Sequence, residues 1–305
     1  MIDRRRFLGF APLAVVAARG TLSDARAITA SGGNEASGAR SRSILPGPAR
    51  FDRFGVQLYT LRAEMAQEPE RTLQAIAEIG YEEVELAGLH GMSPREMRLR
   101  LDEAGLRAAS SHPGLDAVRD DWSRTLEGAV ELGQSLIAVP SIPGDERTAD
   151  GLRRVADDFN RAGEAAVRAG LRFGYHNHDW EIRPLEDGTV PIQLLLDRTD
   201  AALVDWQMDV FWTVHGGGDV MRYLAAFPGR VTSLHVKDRT TSGEMVDVGD
   251  GVIPFEPILA EAGRLGLLHA FVEHDRPADA LDSVRRSYGH LTRFQGRDAF
   301  DESTA

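Results

Sequence analysis

The feature that most constrains this chain is an alternation that begins near Phe54 and then repeats. A short apolar run is followed by a longer stretch with helical periodicity, then by a Gly, then by the next apolar run. The junctions Ile79-Gly80-Tyr81, Ala104-Gly105-Leu106, Leu132-Gly133-Gln134, Ala169-Gly170-Leu171 and Leu265-Gly266-Leu267 carry the pattern. Gly enters the left-handed region without a steric penalty, so it ends a helix, and a strand is expected after it. Eight strands are predicted, at Gly55–Leu58, Val84–Leu86, Ala108–Ser111, Leu136–Val139, Arg172–Tyr175, Ala202–Asp205, Val231–His235 and Ala270–Glu273. The runs are mostly apolar rather than alternating, as in strands covered on both faces. Between them, Glu70–Ile79 gathers Leu73, Ile76 and Ala77 on one face. Gly151–Ala169 likewise gathers Val155, Phe159, Ala162, Ala166 and Val167.

Eight βα units in one domain predict a (β/α)8 TIM barrel over residues 51–296. A doubly wound open sheet would favour a Gly-rich phosphate turn after the first strand, and that strand instead runs into Gln57-Leu58-Tyr59-Thr60-Leu61-Arg62. Ahead of the barrel, Arg4-Arg5-Arg6-Phe7-Leu8 precedes a short apolar run, and Ala25-Arg26-Ala27 has the form of a cleavage site. Residues 1–27 thus resemble a twin-arginine export signal, which implies the export machinery as a partner and a periplasmic or exported location. The apolar run is too short for a stable membrane anchor. Residues 28–50 are rich in Gly, Ser, Ala and Arg and read as a flexible linker, and residues 297–305 as a disordered tail.

With 35 Lys+Arg against 47 Asp+Glu, the net charge of −12 disfavours a nucleic-acid partner. The absence of cysteine excludes disulfides, thiolate metal sites and Cys nucleophiles. Composition leaves homo-oligomerisation open.

Chemistry in such a barrel gathers at the C-terminal ends of the strands. Those ends carry Gln57 and Tyr59, Ser111-His112-Pro113, Tyr175-His176-Asn177-His178, Asp209, His235-Val236-Lys237-Asp238 and Glu273-His274-Asp275. Six of the nine His residues fall there or just beyond. Buried charge is costly unless paired or metal-bound, so a convergent polar ring points to a cation. The simplest site takes one ligand from each of strands five to eight: His176 or His178, Asp209, His235 and Glu273. Imidazole with carboxylates suits one Mn²⁺, Co²⁺, Zn²⁺ or Fe²⁺ ion better than Ca²⁺. Gly216-Gly217-Gly218 and Gly249-Asp250-Gly251 lack the Lys-Ser/Thr of a phosphate loop and read as turns.

At Gly55-Val56-Gln57-Leu58-Tyr59-Thr60, Tyr175-His176-Asn177-His178, Asp209-Val210-Phe211-Trp212, His235-Val236-Lys237-Asp238, Val248-Gly249-Asp250-Gly251 and Val272-Glu273-His274-Asp275, the chain resembles the xylose isomerase-like TIM barrel superfamily, in its sugar phosphate isomerase/epimerase group. The resemblance spans roughly residues 54–294. It implies one divalent ion bound from strands five to eight and a small carbohydrate substrate that chelates it. Asp209, His235 and Glu273 match the family's ligands on strands six, seven and eight. The family's ketose 3-epimerases carry a metal-binding, proton-moving Glu at the end of strand five, and the aligned residue here is His176.

An ion on a carbonyl and a hydroxyl oxygen stabilises an enediolate once a base removes the α-proton. The base candidates are Glu181, His178 and Glu273. Lys237 is either an oxyanion stabiliser or one half of an ion pair with Asp238 or a nearby carboxylate. Gln57, Tyr59, His112 and Trp212 are expected to touch the substrate, and Trp180, Trp206 and Phe211 either wall the sugar or fill the core. The first functional reading is a metal-dependent sugar isomerase or epimerase. The second is a lyase that cleaves 3-keto-glycosides by β-elimination. A third, non-catalytic reading is a periplasmic sugar-binding protein, and an endonuclease is disfavoured by the charge.

Overall fold

The computed structural model describes residues 53–293. The expected export signal, linker and tail lie outside the described residues. Eight parallel strands form the barrel: β1 Gly55–Gln57, β2 Glu83–Leu86, β3 Arg107–Ser111, β4 Leu136–Val139, β5 Arg172–His176, β6 Val204–Asp209, β7 Val231–Val236 and, after a small antiparallel ribbon of β8 Asp238–Arg239 and β9 Met245–Val246, β10 His269–Val272. Their order is β3-β2-β1-β10-β7-β6-β5-β4. Between the two ends of that order, β3 and β4, the Ser135 N–H donates to the Ala109 carbonyl at 3.1 Å, so the cylinder is nearly closed. This is the predicted TIM barrel.

Local chemistry explains the boundaries. All five junction glycines, Gly80, Gly105, Gly133, Gly170 and Gly266, have positive φ, as their place after a helix requires. Helix Pro94–Ala104 starts on a capping box, with Ser93 accepting from the Glu96 N–H and the Glu96 side chain returning to the Ser93 N–H. Helix Ala149–Arg168 buries Leu152, Val155, Phe159, Ala162 and Ala166 against the barrel. Val167, expected on that face, is exposed, because one residue beyond Ala166 rotates it about 100° away. Phe159 meets Phe173 of β5 edge-on, with ring centres 5.4 Å apart.

Strand six departs most from expectation. It was expected at Ala202–Asp205 and runs from Val204 to Asp209. The Ala202 N–H bonds the Asp200 side chain, and the Leu203 and Val204 N–H groups bond its carbonyl, so a turn occupies the expected start. The shift makes Asp209 the last residue of the strand.

Helix Ala149–Arg168 approaches the β6 turn closely at Gly163. A Cβ there would lie 2.5 Å from the Leu203 carbonyl oxygen. Gly to Ala inside a helix normally stabilises by about 1 kcal/mol. At Gly163 the clash is with backbone, so Gly163→Ala is expected to destabilise by about 1–3 kcal/mol. Urea denaturation measures this, and a gain in stability would contradict the packing described.

Candidate active site

Side chains two apart on a strand share a face, and here that rule aims polar groups into the barrel. On β6, Gln207 and Asp209 point inward, while Trp206 packs outward on Tyr223. On β7 and just beyond it, His235 and Lys237 point inward. Asp209 lies directly opposite His235 in the β6–β7 register. Glu273 follows β10 and brings its carboxylate to 2.5 Å from His235 Nδ1.

Beneath these groups sits a satisfied polar network. Glu85 of β2, fully buried, accepts from Gln57 Nε2 at 2.8 Å and from Gln207 Nε2 at 2.7 Å. His235 Nε2 is 2.6 Å from the same carboxylate. His112 Nε2 is 2.6 Å from Gln207 Oε1, an atom that only accepts, so His112 carries its proton on that nitrogen. Burial alone would raise the Glu85 pKa, but His112 and His235 hold it well below the usual carboxylate range.

Asp209, His235 and Glu273 each offer a ligand atom, and these atoms lie within 4.8 Å of one another. Three further observations fit a divalent ion. Glu85 takes the far nitrogen of His235, and a carboxylate there fixes the orientation of a ligating imidazole. Asp209 Oδ1 accepts the Trp212 N–H at 2.8 Å, leaving Oδ2 without an aligned hydrogen bond. His176 Nε2 lies 3.8 Å from that oxygen, and the buried Nδ1 has no partner. His112, His176 and His235 also lie within ligating distance of one another. That group fits an ion poorly at His112, whose Nε2 meets Gln207 and whose Nδ1 lies 3.3 Å from Gln57 Nε2.

Lys237 pairs with three carboxylates: Asp209 Oδ2 at 2.9 Å, Glu273 Oε2 at 2.8 Å and Asp275 Oδ1 at 2.8 Å. Burial lowers its pKa, but these charges raise it well above the ordinary lysine value. An ion pair with Asp238 is not formed. The Asp238 carboxylate instead accepts the N–H groups of Gly249, Gly251 and Ile253.

Above the cluster opens a cleft of ≈ 440 Å³. Tyr59, His112, His176, His178, Lys237 and Glu273 line it as expected for a site, joined by Arg62, Asp275 and Arg276. His176 turns toward Asp209, and His178 stands on the cleft wall with its ring edge-on to His176, 5.0 Å between centres. Burial, then Lys237, lowers the His178 pKa to about 4, so the ring is neutral at pH 7.

Three expected residues lie elsewhere. Gln57 is fully buried in the network below the cleft. Trp212 packs beside His178 and is absent from the cleft lining. Glu181 folds back behind β5, where it accepts from the Tyr175 hydroxyl and from the His178 N–H at 2.9 Å, and burial lifts its pKa to about 7. It does not line the cleft and supplies no carboxylate in place of the missing strand-five Glu. Trp206 and Phe211 are core residues, and Trp180 carries the Arg147 guanidinium over its ring.

The family model described as xylose isomerase-like TIM barrel matches residues 73–292. The chain belongs to the xylose isomerase-like TIM barrel family. Among its relatives in that family is an inosose dehydratase of Geobacillus kaustophilus (strain HTA426), 25% identical over 233 aligned positions that cover 63% of this chain and 75% of that protein. A crystal structure of a sugar phosphate isomerase/epimerase from Parabacteroides distasonis ATCC 8503 superposes with a TM-score of 0.68 at 28% identity, covering 83% of this chain and 96% of that one. An IOLI protein solved with a zinc atom shares the fold, with a TM-score of 0.61 at 13% identity over 79% of this chain and 96% of that chain.

The xylose isomerase-like barrel also gives work to polar residues that had no role predicted from sequence. Glu85 and Gln207 organise the network, and Asp275, Arg62 and Arg276 shape the cleft mouth. The signal for Glu85 was present. A glutamate at the inward period of an apolar strand is either solvated or paired, and barrel closure leaves only pairing.

Proposed function

We propose that this protein is a metal-dependent enzyme that removes the proton α to a carbonyl in a keto-sugar and then expels a β-substituent. The observation that carries the reading is the meeting of Asp209, His235 and Glu273 within reach of one ion, with Glu273 on the cleft lining beside the uncommitted imidazole of His178. On this reading His176 completes the ligand set. Together these residues would hold a divalent ion, and it would supply Lewis-acid stabilisation of negative charge on the carbonyl oxygen.

The protein's own groups divide the remaining work. His178 takes the α-proton. With a pKa of about 4 it is a weak base, which suits an already acidified C–H. The Lys237 ammonium lies within 2.9 Å of an oxygen of each of Asp209, Glu273 and Asp275, so it holds these carboxylates together and balances their charge. Tyr59 and the His112 ring form the sugar-facing wall.

Elimination is favoured over epimerisation because, among the described residues, the cleft holds one free base. Glu273 and Asp275 are both tied to Lys237, and Glu181 faces away. An epimerase needs a second group on the opposite face of the substrate. The inosose dehydratase relatives support the same choice. The arginine-rich leader, on the proposal that it directs export, favours an unphosphorylated glycoside.

The test is incubation of the Mn²⁺-loaded protein with 3-keto-glycosides in D₂O, followed by mass spectrometry. Release of the aglycone with an unsaturated keto-sugar is expected. An intact product carrying one deuterium would move the assignment to the isomerase or epimerase reading, and no change at all would sink both. His178→Asn is expected to lower kcat by about 10²–10⁴-fold while ion content stays at one per chain. Unchanged kcat would remove His178 as the base.

A further inference from the structure

A second cavity of ≈ 470 Å³ lies beside the catalytic cleft, under the loops that follow β2 and β3. Leu86, Leu89, Met92, Pro113, Ala129 and Leu132 give it an apolar wall. It shares His112 with the cleft, and the cleft residue Ala87 lies between Leu86 and Gly88 of the cavity. One rim therefore separates the two spaces.

The wall is unsuited to a polyol. Sugar hydroxyls placed against Leu86, Leu132 and Ala129 would lose water without gaining partners. A flat apolar group loses nothing there, and the volume falls in the range of small-ligand sites. Polar side chains, Ser93, Ser111, Asp121, Arg124, Thr125 and Gln134, line the remainder of the cavity. The Ser111 hydroxyl donates to Gln134 Oε1 at 3.0 Å, and Gln134 Nε2, on a residue 93% buried, has no partner. That amide leaves one unpartnered donor beside the apolar wall. Two further features leave the space open. Gly88, at φ +117°, has nothing within 4 Å of where a Cβ would stand, and Met92 is a side chain that adapts to different shapes.

We propose that this cavity is an aglycone subsite, taking an aromatic leaving group that carries a hydrogen-bond acceptor while the sugar occupies the neighbouring cleft. The assignment rests on the lyase reading and narrows its substrates to aryl glycosides oxidised on the sugar. In the elimination the base takes the α-proton, the C–O bond to the aglycone breaks, and the aglycone oxygen leaves with the electron pair and is protonated from solvent.

Two measurements on the full chain test it. The first is calorimetric titration with free p-nitrophenol, which requires no turnover. Saturable binding of one molecule per chain is expected, abolished by Thr125→Trp and by Met92→Trp, each of which fills the cavity from a lining residue. Circular dichroism and Tm check that each variant folds, so the failure of one leaves the other decisive. The second compares p-nitrophenyl and methyl 3-keto-β-glucosides. The aryl substrate is expected to show a KM at least about tenfold lower, with the advantage lost in both variants and the methyl substrate unaffected. Turnover of both glycosides with equal KM would overturn the subsite and leave the lyase reading standing. Binding of p-nitrophenol without turnover of either glycoside would overturn the lyase reading and the aglycone role with it. Binding that survives both fillings would place p-nitrophenol elsewhere and overturn the proposal.

Discussion

Asp209→Ala and Glu273→Ala are each expected to strip the protein of its divalent ion and to lower kcat/KM by more than about 100-fold. Loss of a residue that only hydrogen-bonds a ligand costs about 10–100-fold in metal affinity or activity, and on the proposed reading these residues supply ligand atoms themselves. Asp209 is sensitive for a structural reason too. It ends β6, caps the following helix through the Trp212 N–H, and takes the Asn177 side-chain oxygen on its own N–H at 3.0 Å. Asp209→Asn is therefore the cleaner variant, because it keeps the cap acceptor and removes the charge. Elemental analysis and steady-state kinetics together read the result. Full ion content in all three variants would mean the ion sits elsewhere.

Lys237→Met is expected to give the largest change in stability. The ammonium is almost wholly buried and faces three carboxylates, so its removal leaves negative charge without compensation. Removing one member of a buried pair costs about 3–5 kcal/mol. For a domain of this size that lowers Tm by roughly 10 °C. The same argument predicts rescue. A divalent cation bound to Asp209 and Glu273 restores much of the lost positive charge, and a ligand at 100 times its Kd contributes about 2.7 kcal/mol. Thermal melts of Lys237→Met with and without Mn²⁺ should differ more than those of the wild type. A variant as stable as the wild type, or one indifferent to Mn²⁺, would contradict the counter-ion role.

The fold was legible because its signals are local. Each junction glycine reports a helix end through φ alone, and an apolar run reports a strand covered on both sides. Asp209, His235 and Glu273 were legible because a charged side chain at a strand end, in a barrel, has one destination. What sequence order could not supply was direction after a strand stops. Glu181 follows His178 by three residues, yet a tight turn returns its carboxylate to Tyr175 behind β5. Glu85 was missed for the opposite reason. With Glu83 two residues before it on a short strand, Glu85 resembles a solvated rim residue until β6 and β7, far away in sequence, bring Gln207 and His235 against it. Lys237 shows the same limit. Its immediate neighbour Asp238 looked like a partner, while alternation along the chain sends the two side chains to different surroundings.

The most direct measurement is an anomalous difference map from crystals of the active protein equilibrated with Mn²⁺. A single strong peak is expected between Asp209 Oδ2, His235 Nδ1 and Glu273 Oε2, with His176 beside it. A catalytically competent crystal with no peak there, or with its peak at another place in the barrel, would contradict the account.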